Sequence, residues 1–146
     1  MLEITWLGHG TFQFRLASGE VIVADPWTDG NPSYPPDHSF DRVLSSFLLH
    51  HLTKENKLKT LTEILRVLKP GGEFHLADWG KAQNMIMRLA FLDIQLLDGF
   101  ETTSENVQGL LTRYLEDAGF ESVEETKRYT TVFGTLSLYK ALKREK

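Results

Sequence analysis

The chain has 146 residues, 41% of them hydrophobic and 25% charged, with a formal net charge of −4. That is the composition of one soluble domain able to bury a single core. The even mix of signs gives no basic footprint for nucleic acid, so no DNA or RNA partner is expected. With no cysteine there is neither a disulfide framework nor a thiolate zinc site. The opening MLEITWLGHG lacks a basic stretch followed by an apolar core, which makes cytoplasmic residence the default expectation. The most apolar stretch, Met85 to Leu97, is broken by Arg88, Asp93 and Gln95 and falls short of the roughly 20 residues that span a bilayer.

In chain order, the first quarter alternates. Ile4 and Trp6, then Phe12, Phe14 and Leu16, then Val21 and Val23 fall at period two, punctuated by Gly8-His9-Gly10 and Ser18-Gly19. The pattern predicts a three-strand antiparallel meander in which Thr11 to Leu16 is a strand. From Asp25 to Ser39 the run DPWTDGNPSYPPDHS holds four of the five prolines, which excludes both a helix and a central strand. An internal boundary belongs there, dividing a meander segment, residues 1–36, from an α/β segment, residues 37–146.

Beyond it the apolar run Phe40 to Leu49 reads as a strand buried on both faces. Thr53 then caps a helix in which Leu58, Leu61, Ile64, Leu65 and Leu68 recur at helical spacing, with Lys54, Glu55, Lys57, Lys59 and Glu63 on the opposite side. Lys69-Pro70-Gly71-Gly72 stops that helix, and Glu73 to Asp78 forms a second buried strand. Strand, amphipathic helix and strand is the pattern of a parallel crossover, so Phe40 to Ser46 should lie parallel to Glu73 to Asp78. Further helices are predicted over Gln83 to Leu97 and from Ser104 onward, where Val107, Leu110, Leu111, Tyr114, Leu115 and Ala118 make one face before Gly119. Phe120 to Tyr129 and Thr131 to Leu142 alternate with little between them, which predicts an antiparallel hairpin.

The strings FDRVLSSFLLHHL, LRVLKPGGEFHLADWG and LEDAGFESVEETKRY, in this order, resemble the C-terminal half of class I S-adenosylmethionine-dependent methyltransferases of the small-molecule branch, from about Asp37 onward. The resemblance implies an α/β fold: a partial Rossmann-like sheet, a parallel crossover closed by an antiparallel hairpin, behind the N-terminal antiparallel β-meander. It also implies S-adenosylmethionine as cofactor and a small molecule as substrate. The candidates for the cofactor edge lie where the first parallel strand ends, at Ser45, Ser46, Phe47, His50 and His51, because open α/β sheets bind ligands at the carboxyl ends of their strands. Asp78 and Trp79, at the end of the next strand, are the substrate-lining candidates. Adjacent histidines are equally good as helix-start or hydrogen-bonding groups, so both roles stand open for His50 and His51.

The family's glycine-rich turn and ribose-binding carboxylate should precede Phe40. Ile4 to Thr11 imitates a strand entering a G-x-G-T turn, but the residues after Gly10 alternate as a strand. Only nine residues separate Gly10 from Glu20, fewer than the roughly 10–12 that a crossover needs. Cofactor binding is therefore expected to be weak or lost. Residues 1 to about 35, ITWLGHGTFQFRLASGEVIVADPWTDGNPSYP, instead resemble the opening of metallo-β-lactamase-fold hydrolases of the lactonase type. The dense His-x-His-x-Asp-His cluster of that family is absent, and the histidines at 9, 38, 50, 51 and 75 have no comparable spacing. No metal is expected, and His9 and Asp25 read as structural.

Three functions stand as expectations: a methyltransferase-like protein, truncated or chimeric, with an impaired cofactor side; a non-catalytic binding module; and, last, a fragment of a metal-dependent hydrolase. If the flank of Phe40 to Leu49 is left open by the missing strands, a homodimer is expected to cover it.

Overall fold

The computed structural model describes residues 1–26, 39–81, 108–132 and 134–145, together with 83, 85, 89 and 96. The meander forms as the alternation predicts. Strands β1 (Glu3–Gly8), β2 (Thr11–Arg15) and β3 (Val21–Ala24) pair antiparallel in succession. Its first turn is tight because Gly8 and His9 both take positive φ, 100° and 47°, and the Trp6 indole Nε1 donates to the His9 carbonyl at 2.9 Å. The second closes around Gly19, at φ 91°, with Leu16 N donating to Glu20 O at 2.9 Å.

β4 (Phe40–Ser46) is parallel to β3 on one side and to β5 (Leu68–Trp79) on the other. The flank that the sequence leaves open is thus occupied by the meander's last strand. β4 is shorter than the apolar run Phe40 to Leu49 suggests. Phe47 turns the chain at φ 51° and Leu49–His51 form one turn of 3₁₀ helix, because the backbone donors of Leu49 and His50 are taken by the buried Asp78 side chain.

Helix α1 (Lys54–Val67) begins at Thr53, whose side chain accepts from Asn56 N at 3.4 Å. That bond is long for a cap, so Thr53→Ala is expected to cost about 0.5–1 kcal/mol, or roughly 1–4 °C in the melting temperature followed by circular dichroism. Leu61, Ile64 and Val67 face the core. Lys57, placed by its charge on the polar side, is fully buried instead. It lies four residues before Leu61 and seven before Ile64, so the helical period carries it onto the core face.

The helix stops at Val67, before Lys69-Pro70-Gly71-Gly72, and those four residues lie inside β5 rather than in a separate turn. The register jumps from Phe40↔Leu68 to Arg42↔Glu73, so the segment bulges. Glycine is required at 72, where a Cβ would lie 2.8 Å from the Lys69 carbonyl oxygen.

The helix predicted over Gln83 to Leu97 falls almost wholly outside the described residues, as does the start of the helix predicted from Ser104. Its last part is α2 (Leu111–Asp117), ended by Gly119 at φ 100°. Strands β6 (Glu121–Thr131) and β7 (Gly134–Leu142) form the antiparallel hairpin, and β7 also pairs antiparallel with β5. Among the described residues the result is a seven-stranded mixed sheet in the order β1-β2-β3-β4-β5-β7-β6.

One core unites the two halves. Val21 and Val23 of the meander belong to the same buried cluster as Phe40, Val43, Leu61, Phe74, Leu115 and Ala141, and Phe74 stacks on Phe120 with ring centroids 5.5 Å apart. The opposite face of the sheet at this end is less covered: Ile4, Trp6 and Phe12 of the meander and Leu44 of β4 are 57%, 65%, 39% and 36% exposed. No helix among the described residues is long and apolar enough to cross a membrane.

Candidate functional site

The parallel strands β3, β4 and β5 end along one edge of the sheet, at Ala24, Ser46 and Trp79. The β1–β2 turn reaches the same edge, because β2 runs against β3. Three of the four described non-glycine residues with positive φ, His9, Asp25 and Phe47, lie along it. Such backbone is costly for an L side chain and persists where surrounding contacts hold it.

Asp78 organises the end of β5 at this edge. Its side chain is fully buried and serves four donors: Leu49 N at 2.9 Å and His50 N at 3.3 Å on Oδ2, and His50 Nδ1 at 2.7 Å and Trp79 N at 2.7 Å on Oδ1. A carboxylate can be kept from water only with such compensation. Asp78 therefore latches the turn after β4 onto the end of β5 and fixes the plane of the His50 imidazole, which is itself buried. His51 is exposed, its ring centroid 3.9 Å from that of His50. Phe47, 42% exposed, sits edge-on to Trp79 at 5.4 Å and to His50 at 6.1 Å. Of the residues singled out from the sequence, the fold thus gathers Phe47, His50, His51, Asp78 and Trp79 into one cluster.

Ser45 and Ser46 diverge, as neighbours on a strand must. Ser45 points into the core, where its Oγ has no hydrogen-bond partner among the described residues. Ser46 is exposed and meets a residue that the sequence marked only as structural. Its backbone N donates to Asp25 Oδ1 at 2.7 Å and its Oγ to Asp25 Oδ2 at 3.2 Å. The Asp25 backbone is pinned in turn, its N donating to Leu44 O at 2.8 Å and its carbonyl accepting from Thr11 Oγ1 at 2.8 Å. The only sequence hint of this clamp was an aspartate-proline pair closing a strand.

At the opposite edge is a charged cavity of about 210 Å³, lined by Glu20, Asp41, Arg42, Lys69 and Glu73 among others. Its charges are spent on one another. Arg42 spans Glu20 and Glu73, at 3.1 Å from each, while Lys140 and His75 approach Glu73 at 2.7 and 2.9 Å. Lys140 first, then His75 and Arg42, hold the Glu73 carboxyl at about 2, against burial, which raises it. Asp41 accepts from Val21 N at 2.7 Å and from Lys69 Nζ at 2.8 Å. Burial pushes its carboxyl up, but those bonds outweigh it and the pKa is lowered. Glu20 and Val21 come from the meander, Arg42 and Asp41 from β4, so this network is the polar seam between the two segments. Among the described residues no group of three or more His, Asp or Glu side chains could hold a metal ion.

Comparison with known proteins finds two kinds of relative. The family model of the β-lactamase superfamily domain matches residues 3–107. A UPF0173 metal-dependent hydrolase of Solibacter usitatus is 63% identical over 49 residues, which is 34% of this chain and 21% of that protein. The ubiquinone/menaquinone biosynthesis C-methyltransferase UbiE of Shewanella pealeana is 32% identical over 126 residues, covering 74% of this chain and 48% of that one. The chain therefore spans about a fifth to a half of the length of these curated relatives. Among solved structures, the S-adenosylmethionine-dependent methyltransferase SibL in its apo form superposes with a TM-score of 0.57 at 18% identity, over 77% of this chain and 33% of SibL. At that identity the likeness is one of fold.

Proposed function

Since the chain belongs to the β-lactamase superfamily domain family over residues 3–107, we propose that it is a chimera in function as well as in sequence: an S-adenosylmethionine-dependent methyltransferase-like protein directed at a small molecule, its cofactor side impaired. The β4-β5-β7-β6 half of the sheet and the cluster at its carboxyl edge support the substrate side of this reading. Asp78 acts there as a positioning residue, holding His50 and, through the backbone of β5, Trp79 at the edge where a substrate would lie.

The residues present do not fit the cofactor. Open α/β sheets form a ligand crevice where strand order reverses, because the connections then leave on opposite faces. From β1 to β5 the order is monotone, so no reversal falls between β3 and β4. A ribose-binding carboxylate would come from the carboxyl end of the strand beside β3. That strand is β2, which runs the other way and brings Thr11 to this edge instead. Loss of two charge-assisted hydrogen bonds of roughly 1.5–3 kcal/mol each weakens affinity by about two to four orders of magnitude. Isothermal titration with S-adenosylmethionine and S-adenosylhomocysteine is expected to show no binding tighter than about millimolar. Micromolar binding by the unaltered chain would remove the claim of impairment.

A second reading, a non-catalytic self-associating module, is favoured by the exposed Ile4, Trp6, Phe12 and Leu44. β1 is the edge strand of the sheet, so its outer backbone groups lie beside the exposed Ile4 and Trp6. A second copy pairing β1 with β1 about a twofold axis would satisfy those groups and cover the adjoining side chains. Light scattering at tens of micromolar should then give a dimer for the unaltered chain and a monomer for Trp6→Lys. A monomeric unaltered chain excludes this reading.

A further inference from the structure

If the cofactor side is impaired, the reading on which this inference rests, the geometry points to Asp25 as a residue that closes it. Two donors of Ser46, its backbone N–H and its hydroxyl, converge on the two separate oxygens of one carboxylate, at 2.7 and 3.2 Å. Paired donors meeting paired oxygens is the arrangement by which proteins hold a free carboxylate ligand. Here the carboxylate is built in. Asp25 holds it in place at a left-handed backbone angle, φ 47°, which aspartate tolerates better than most residues, and the bonds to Leu44 O and from Thr11 Oγ1 pin it there.

We propose that Ser46, at the carboxyl end of β4, forms a small-carboxylate site that Asp25 occupies as an internal ligand. A tethered group competes at high effective concentration, and its charge repels a second anion. The intact chain is therefore closed to carboxylate-bearing ligands at this point, whatever their remaining structure.

The test tracks the Ser46 amide by nuclear magnetic resonance during titration with acetate. Asp25→Gly is the main variant, since glycine takes positive φ without strain and the change removes only the carboxylate. Its Ser46 amide should move saturably with acetate toward the position seen in the unaltered chain, at a concentration at least about tenfold below any response of that chain. Asp25→Asn, whose side-chain oxygen still accepts from Ser46 N, should stay closed. A folded Asp25→Gly protein whose Ser46 amide ignores acetate overturns the proposal, as does acetate binding at Ser46 with Asp25 intact at less than about tenfold the concentration the variant needs. Should Asp25→Gly not fold, Asp25→Ser removes the same carboxylate and carries the same two outcomes. Titration of the unaltered chain with S-adenosylhomocysteine addresses the impaired cofactor side, so failure there and failure of the acetate experiment are separate results.

Discussion

Replacing Asp78 by alanine should destabilise the protein by about 3–5 kcal/mol, the range for removing one member of a buried, hydrogen-bonded charged group. Four donors lose their acceptor at once: Leu49 N, His50 N, His50 Nδ1 and Trp79 N. Neither main-chain amide of the 3₁₀ turn can reach water without unwinding it, because Leu49 and His50 are buried. At roughly 2–4 °C per kcal/mol for a domain of this size, the melting temperature should fall by about 6–20 °C. Asp78→Asn should cost less, about 1–3 kcal/mol, since one carboxamide oxygen still accepts while its NH₂ faces a donor. Urea denaturation of the two variants checks both values. A loss below about 1 kcal/mol for the alanine variant would show that the turn is held by other contacts.

Acidification should open the molecule at its seam. Glu73 binds protons less readily in the folded protein, at about 2 against an ordinary 4.5, so its contribution to stability is complete above roughly pH 5 and is lost as the pH falls toward 2. That drop sets a ceiling of roughly 3 kcal/mol. Water at a side chain that is 25% exposed screens the ion pairs and brings the expected value to about 1–2 kcal/mol. Asp41, also lowered, adds to the change in the same direction. Glu73→Gln should therefore be less stable at neutral pH and should show a shallower decline between pH 5 and 2 than the unaltered chain. Parallel pH profiles for the two proteins would contradict the assignment. The same loss should loosen the meander, since Arg42 relies on both Glu73 and Glu20.

Periodicity carried most of the fold. Phe12 and Phe14, two apart, mark a strand whatever lies around them, and Leu61, Ile64 and Leu65 mark a helix. The docking of β3 beside β4 was not legible, because the proline-rich run between them carries no helical pattern to mark a parallel crossover. Phe47 reads as the continuation of an apolar strand, yet it turns the chain at φ 51°, just ahead of the two amides that Asp78, a residue of the next strand, accepts from. Lys57 shows the opposite failure: its charge points to the solvent face, while its spacing from Leu61 and Ile64 points to the core, and the spacing prevails. At the candidate site His50, Asp78 and Trp79 were legible as neighbours at the ends of adjacent strands. The clamp of Asp25 on Ser46 was not, since it joins two residues across the boundary at which the sequence pattern changes.

The unbroken strand order from β1 to β5 also bears on how the chain folds. Each of these strands pairs with the one made just before it, so during synthesis every new strand meets an edge that already exists. Pairings of low sequence separation form fastest. The step that waits is insertion of β7 against β5, ahead of β6, since it needs the whole stretch from residue 80 to 133 in hand. Kinetic studies should find the meander and the β6-β7 hairpin each protected from hydrogen exchange before the pairing of β7 with β5.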